Sequence, residues 1–116
     1  MSANKATVEE YMEAFRRGDH ARILACLTDD VEWEIPGHFR IRGKEAFDGH
    51  IEGEGFVGLP DIAVSRLTEE ADVVIAEGTV RAQRADGGAL DLAFCDVFEM
   101  RSGRIRRLVS YLVQVG

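Results

Sequence analysis

The sequence predicts an α+β domain, with helices in the first half and one antiparallel sheet that the helices cover on a single face. Three observations predict it. Apolar residues near the N-terminus recur at helical spacing. From Asp61 onward the spacing changes to the two-residue alternation of strands. Tight-turn signals at Ala85-Asp86-Gly87-Gly88 and Ser102-Gly103 then join the later segments into hairpins. Helices followed by a meander, with neither repeat nor linker, define one layered unit over residues 1–116.

In order, Thr7-Val8-Glu9-Glu10 has the pattern of a capping box that opens a first helix. Val8, Tyr11, Met12 and Phe15 form its apolar face, Arg16 and Arg17 suit its negative end, and Gly18 stops it. Asp19 caps a second, shorter helix with Ile23, Leu24 and Leu27 inward. Thr28-Asp29-Asp30 turns into a strand, Val31–Pro36, with Val31, Trp33 and Ile35 on the face opposite Glu32 and Glu34. Pro36-Gly37 ends it, and His38–Gly43 reads as a short extended piece or turn. Lys44–Ile51 follows as a third helix with Ala46, Phe47 and Ile51 inward. The glycine-rich run Gly53–Pro60 is expected to be a mobile loop. It lacks the Gly-Lys-Ser/Thr of a phosphate cradle. Ile62–Leu67, a turn near Glu69–Asp72, Val73–Gln83, Ala89–Met100 and Arg104–Val115 complete the expected meander.

Composition excludes several functions. A net charge of −7 opposes binding to nucleic-acid backbones and anionic membranes. No apolar run approaches the roughly 18 residues of a membrane span. The opening MSANKATVEE lacks the apolar core of a secretory signal, so a cytoplasmic location is expected. Cys26 and Cys95 are too far apart for a C-x-x-C motif and read as small buried thiols. No cofactor and no metal are expected: a cluster of His38, His50, Glu52 and Glu54 has the wrong spacing for ligands.

One position stands out. Read as a strand, Leu90–Met100 sends Leu90, Leu92, Phe94, Asp96, Phe98 and Met100 to one face, which is apolar except at Asp96. An ionised carboxylate among such neighbours is costly to desolvate without a partner. Asp96 is therefore either a structural acid, paired with a cavity arginine or capped by backbone amides, or the polar centre of a pocket.

With Asp96 and Tyr11 in view, the sequence resembles the nuclear transport factor 2-like superfamily, which includes ketosteroid isomerase, the SnoaL-like polyketide cyclases and limonene epoxide hydrolase. The residues that carry the resemblance are Tyr11 to Asp19 (YMEAFRRGD), Leu27 to Pro36 (LTDDVEWEIP), Glu77-Gly-Thr-Val, Asp96-Val-Phe98-Glu-Met, Gly103-Arg-Ile105 and Tyr111. The resemblance implies a cone-shaped α+β barrel, a strongly curved, mostly antiparallel sheet with three helices on its concave face, enclosing one deep apolar pocket. It also implies a homodimer through the outer sheet face.

Carried over residue by residue, the oxyanion tyrosine of ketosteroid isomerase falls on Tyr11 and its oxyanion aspartate on Asp96. Its general-base aspartate falls on Ile35. The Arg-x-Asp motif of the epoxide hydrolase falls on Gly78 and Val80, or on Glu77 and Thr79, and its second aspartate falls on Ser110. The aspartate of many SnoaL-like members falls on Val113. Aligned on the superfamily, Ile75, Glu77, Thr79 and Arg81 share the inner face, which offers Glu77 as a replacement base and Arg81 as a pocket residue. The alternative is that Glu77 and Arg81 satisfy each other. His38, after the Pro-Gly turn, is the other candidate base. Phe15, Trp33, Ile35, Phe94 and Phe98 are expected to wall the pocket. His20 is expected to be solvated, and Arg104, Arg106 and Arg107 to form a solvated edge.

Two functions follow as expectations. One is an enzyme that moves a proton next to the carbonyl of a small apolar organic molecule (isomerase, cyclase or dehydratase), with Tyr11 and Asp96 as oxyanion donors. The other is a non-catalytic ligand-binding or dimerisation module of the same fold.

Overall fold

The computed structural model describes residues 2–116. The elements run α1 (Ala3–Arg16), α2 (His20–Ala25), β1 (Leu27–Ile35), β2 (Phe39–Arg42), α3 (Lys44–Gly49), β3 (Phe56–Glu70), β4 (Val73–Arg84), β5 (Ala89–Arg101) and β6 (Arg104–Gln114). One sheet has the order β2-β1-β6-β5-β4-β3. It is the expected curved sheet, open, with β2 and β3 at its edges. All pairs are antiparallel except β1 with β6.

The first helix begins earlier than expected. Ser2 is its N-cap, accepting from the Lys5 amide at 3.0 Å. Thr7 lies inside the helix instead, where its hydroxyl donates to the carbonyls of Ala3 (3.1 Å) and Gly103 (2.7 Å). That second bond ties α1 to the β5–β6 turn. Glu10, the other half of the expected box, pairs with Arg22 on α2 at 2.8 Å. Gly18, at φ +62°, closes α1 as predicted, and Asp19 caps α2 through the Arg22 amide at 3.2 Å.

Two strand boundaries also move. Leu27, expected on α2, opens β1 and is fully buried. The second half of the expected loop, Phe56–Pro60, is the start of β3, because it pairs with the far end of β4. There Phe56 lies opposite Arg84 and Val57 opposite Gln83.

The helices pack on the inner face of the sheet. Trp33 stacks on Phe47 of α3 (centroids 4.4 Å apart), and Tyr11 of α1 meets Phe98 edge-on at 5.5 Å. Arg104, Arg106 and Arg107, expected to form a solvated edge, lie on an interior strand, since β6 lies between β1 and β5, with Arg104 exposed and Arg106 and Arg107 half-buried. Arg107 bonds Glu99 at 2.7 Å and lies near Glu32 and Glu34, and Arg106 also pairs with Glu99. Among the described residues, no helix is long and apolar enough to cross a membrane.

Candidate functional site

Between α1, α3 and the inner sheet face lies a cavity of about 280 Å³. Phe15 of α1, Trp33 and Ile35 of β1, and Phe94 of β5 form much of its wall. Phe98 belongs instead to the core beneath it, fully buried. The polar side chains at the wall are Tyr11, His50, Asp96 and Ser110.

Asp96 faces this cavity because β5 alternates, with Phe94 and Phe98 on the same side. No arginine or lysine lines the cavity among the described residues. Burial pushes the Asp96 carboxyl up to about 7, against a partly opposing hydrogen bond from Ser110. Ser110 is the residue directly opposite on β6. Its Oγ accepts from the Trp33 indole N–H at 3.2 Å, which leaves its own proton for Asp96. Among the described residues no arginine or lysine pairs with Asp96, so the paired-arginine reading fails; the hydroxyl that faces it is that of Ser110. Tyr11 is buried on α1, and its phenol is raised well above its ordinary value, by burial first and then by the charge of Asp96. The two groups share one low-dielectric chamber.

The expected bases lie elsewhere. Ala76 is the direct β4 partner of Asp96, so Val74, Ala76, Gly78 and Val80 point inward. Val74 and Ala76 are fully buried, and Val80 lines the cavity. The face expected from the superfamily is therefore off by one residue. Glu77 points outward and pairs with Arg66, at 2.5 Å from its Nε. Arg81 is outward too, 3.8 Å from Asp91, so Glu77 and Arg81 do not satisfy each other. His38 is exposed and lines only an outer vestibule.

His20, expected to be solvated, keeps 36% of its side chain exposed and is paired as well. Its Nδ1 meets Asp48 at 2.5 Å and its Nε2 meets Glu52 at 2.8 Å, which fastens α2 to α3. Those two bonds, Asp48 first, raise its pKa. Among the described residues, no group of three or more His, Cys, Asp or Glu side chains is arranged to hold a metal. Cys26 is buried and Cys95 is half-buried on the outer face; both are free thiols.

Sequence reasoning did not single out Ser110 as a partner of Asp96. Counting back from the Ser102-Gly103 turn pairs Arg101 with Arg104 and would set Asp96 against Val109. A bulge between Glu99 and Met100 shifts the register by one and brings in Ser110.

The fold and its cone-lining pocket define a class that the comparisons specify. The SnoaL-like domain family, within the nuclear transport factor 2-like superfamily, matches residues 8–108, and the chain belongs to it. An LEH-like epoxide hydrolase from M. tuberculosis is similar at 27% identity and TM-score 0.82, over 96% of this chain and 82% of that one. An NTF2-like protein of unknown function from Burkholderia pseudomallei is similar at 27% identity and TM-score 0.87, over 97% and 92%. Bal32a, from a soil-derived mobile gene cassette, is similar at 25% identity and TM-score 0.86, over 95% and 88%. No curated protein matches the chain. At the positions where the resemblance would put the epoxide hydrolase motif, the inner face here carries Gly78, Val80 and Ser110.

Proposed function

We propose that the cavity binds a small, largely apolar carbonyl compound and catalyses proton transfer next to the carbonyl. Isomerisation, cyclisation and dehydration all belong to this class. The Tyr11 phenol and the neutral Asp96 carboxyl donate hydrogen bonds to the carbonyl oxygen as it becomes anionic. One observation carries the reading: an acid with no cationic partner faces an apolar cavity and is held near 7 by burial. Near neutrality it populates its protonated form, so it is a donor where an ordinary aspartate would be only an acceptor. Ser110, fixed by Trp33, orients it.

The test uses 2-tetralone, an apolar ketone with acidic C–H bonds, in D2O. Trp33 is the single tryptophan and lines the cavity, so quenching of its fluorescence reports binding. The protein is expected to bind the ketone and to speed deuterium incorporation, followed by NMR.

Ile35 lines the cavity where the isomerase base would stand, and this favours a second reading, a binding module. That module would quench Trp33 without accelerating exchange, and its affinity would vary little with pH near neutrality. A homodimer through the outer face fits either reading, since Tyr111 (51% exposed) and Val113 (61%) point out from β6 opposite Ser110 and Leu112. Sedimentation of Tyr111→Glu as a monomer, against a wild-type dimer, would support it; an unchanged mass would not.

A further inference from the structure

Proton transfer beside a carbonyl needs a group that takes the proton, and Glu77 and His38 lie outside the cavity. Among the described residues, the ionisable side chains that line it are Tyr11, Asp96 and His50. The first two are assigned to the oxygen. We infer that His50 is the catalytic base, with its Nε2 abstracting the proton; this rests on the proton-transfer reading above.

Geometry supports the assignment. His50 caps the C-terminal end of α3, and its Nδ1 is 2.9 Å from the Ala46 carbonyl oxygen. A carbonyl only accepts, so Nδ1 carries a hydrogen and the lone pair of the neutral ring is on Nε2. The ring leans on Phe39, with centroids 4.8 Å apart. It lines both the inner cavity and the outer vestibule. The charged groups that share its vestibule are His38, Glu52, Glu54 and Arg84, and those that share its cavity are Tyr11 and Asp96. Buried Tyr11 and exposed His50 put the oxygen donor at the inner end and the base at the mouth.

The step balances without another reagent. Nε2 takes a proton from the carbon next to the carbonyl, and the C–H electron pair becomes the new C=C bond. The carbonyl π pair moves onto oxygen, where Tyr11 and Asp96 donate to it. Return of the proton from Nε2 to the same carbon exchanges it, and return to the far carbon of a conjugated system isomerises the molecule. The substrate class is thus an enolisable ketone or enone that is apolar elsewhere and small enough for about 280 Å³.

The experiment compares wild type, His50→Gln and His50→Ala in deuterium exchange of 2-tetralone, with binding followed by Trp33 quenching. His50→Gln is expected to lower the exchange rate by about 10²-fold or more while affinity changes by less than about 3-fold. Added imidazole restores part of the rate in His50→Ala. Wild-type exchange that persists undiminished in His50→Gln would overturn the role of His50 and leave the proton-transfer reading standing. A wild type that does not accelerate exchange, whether or not it binds the ketone, would overturn that reading and this inference together.

Discussion

Asp30 and Asp96 are the same side chain on two strands of one sheet, held in opposite ways. Asp30, on β1, takes two hydrogen bonds from Arg101 at 2.6 and 3.2 Å and one from the Thr28 hydroxyl at 2.8 Å. Those bonds, Arg101 first, lower its carboxyl to about 2. Asp96, on β5, meets a serine in an apolar cavity, and burial raises it to about 7. The outer carboxylate is committed to fastening the start of β1 to the end of β5. The inner one has no cation to satisfy it and is left with capacity for a ligand. Pairing fixes structure; desolvation without pairing prepares chemistry.

The largest expected effect comes from abolishing the inner acid. Asp96→Leu is expected to lower the exchange of 2-tetralone about 10³-fold, the scale of losing a preorganised donor to an oxyanion. The variant still folds, because leucine suits a wall of Phe15, Trp33 and Phe94. Exchange by NMR, beside a thermal melt, separates the two effects. A variant that exchanges at the wild-type rate would remove Asp96 from the reaction.

Next is the stability cost of that acid. Its ordinary value is 3.8 and its folded value about 7, so the unfolded chain loses the proton first as pH rises. Below 3.8 both states are protonated, and the group contributes equally to each. Between the two values the folded state binds more protons, so stability falls with pH and levels off above 7. At 1.36 kcal/mol per pH unit the loss is up to about 4 kcal/mol. Asp96→Asn cannot ionise, so its stability relative to wild type should rise by that amount from pH 4 to pH 8. Urea midpoints across that range measure it; a constant difference would place Asp96 outside the low-dielectric chamber.

How far the sequence shows these two settings depends on register. The inward face of β5 is legible, since Phe94 and Phe98 bracket Asp96 and two-residue alternation needs no partner. The face of β4 is not, and alignment on the superfamily puts it one residue off. The β4–β5 ladder runs from its hairpin without a bulge and sets Ala82 opposite Leu90 and Ala76 opposite Asp96. Counting back from a two-residue turn at Asp86-Gly87 would set Asp96 opposite Glu77; the hairpin closes instead around Ala85, Asp86 and Gly87, with the Arg84 amide donating to the Gly88 carbonyl at 2.7 Å, and this puts Glu77 and Arg81 outside. Ser110 was not legible by the same count, because the bulge between Glu99 and Met100 leaves no mark in the sequence. The cap of α1 shows a different limit. Thr7 with Glu10 and Ser2 with Lys5 both offer local pairings, and the tertiary bond from Thr7 to Gly103 accompanies the earlier start. His50 stands out in the sequence only beside His38, Glu52 and Glu54, and its bond to Ala46 depends on the end of α3.

A third effect concerns the wall beside the inner acid. A Cβ on Gly78 would lie 2.0 Å from the Ala63 carbonyl oxygen and 2.8 Å from the Phe94 ring. The carbonyl belongs to the β3 backbone, which cannot swing away like a side-chain tip. Gly78→Ala is expected to destabilise the fold by about 1–3 kcal/mol, in the range for overpacked interiors. It should also weaken ketone binding by displacing Phe94 from its place in the cavity wall. Chemical denaturation and Trp33 quenching read the two consequences, and wild-type values in both would show that β3 yields without cost.

The smallest effect belongs to the outer aspartate. The Asp30 carboxyl titrates lower in the folded chain than in the unfolded one, so its pairing stabilises the fold above pH 3.8 and is lost as pH falls through about 2. The pair is open to water, with Arg101 51% and Asp30 44% exposed, so solvent and salt screen it. Asp30→Asn is therefore expected to shift the melting temperature slightly at pH 7 in low salt and not measurably at pH 2. Raising the ionic strength should shrink the low-salt shift further. Asp96→Asn behaves oppositely on both counts: its effect grows toward high pH, and salt barely touches it because the cavity is apolar. Melts of both variants at two pH values and two salt concentrations put the aspartates side by side. If the two variants respond alike to salt, the distinction between a paired surface acid and a desolvated inner one fails.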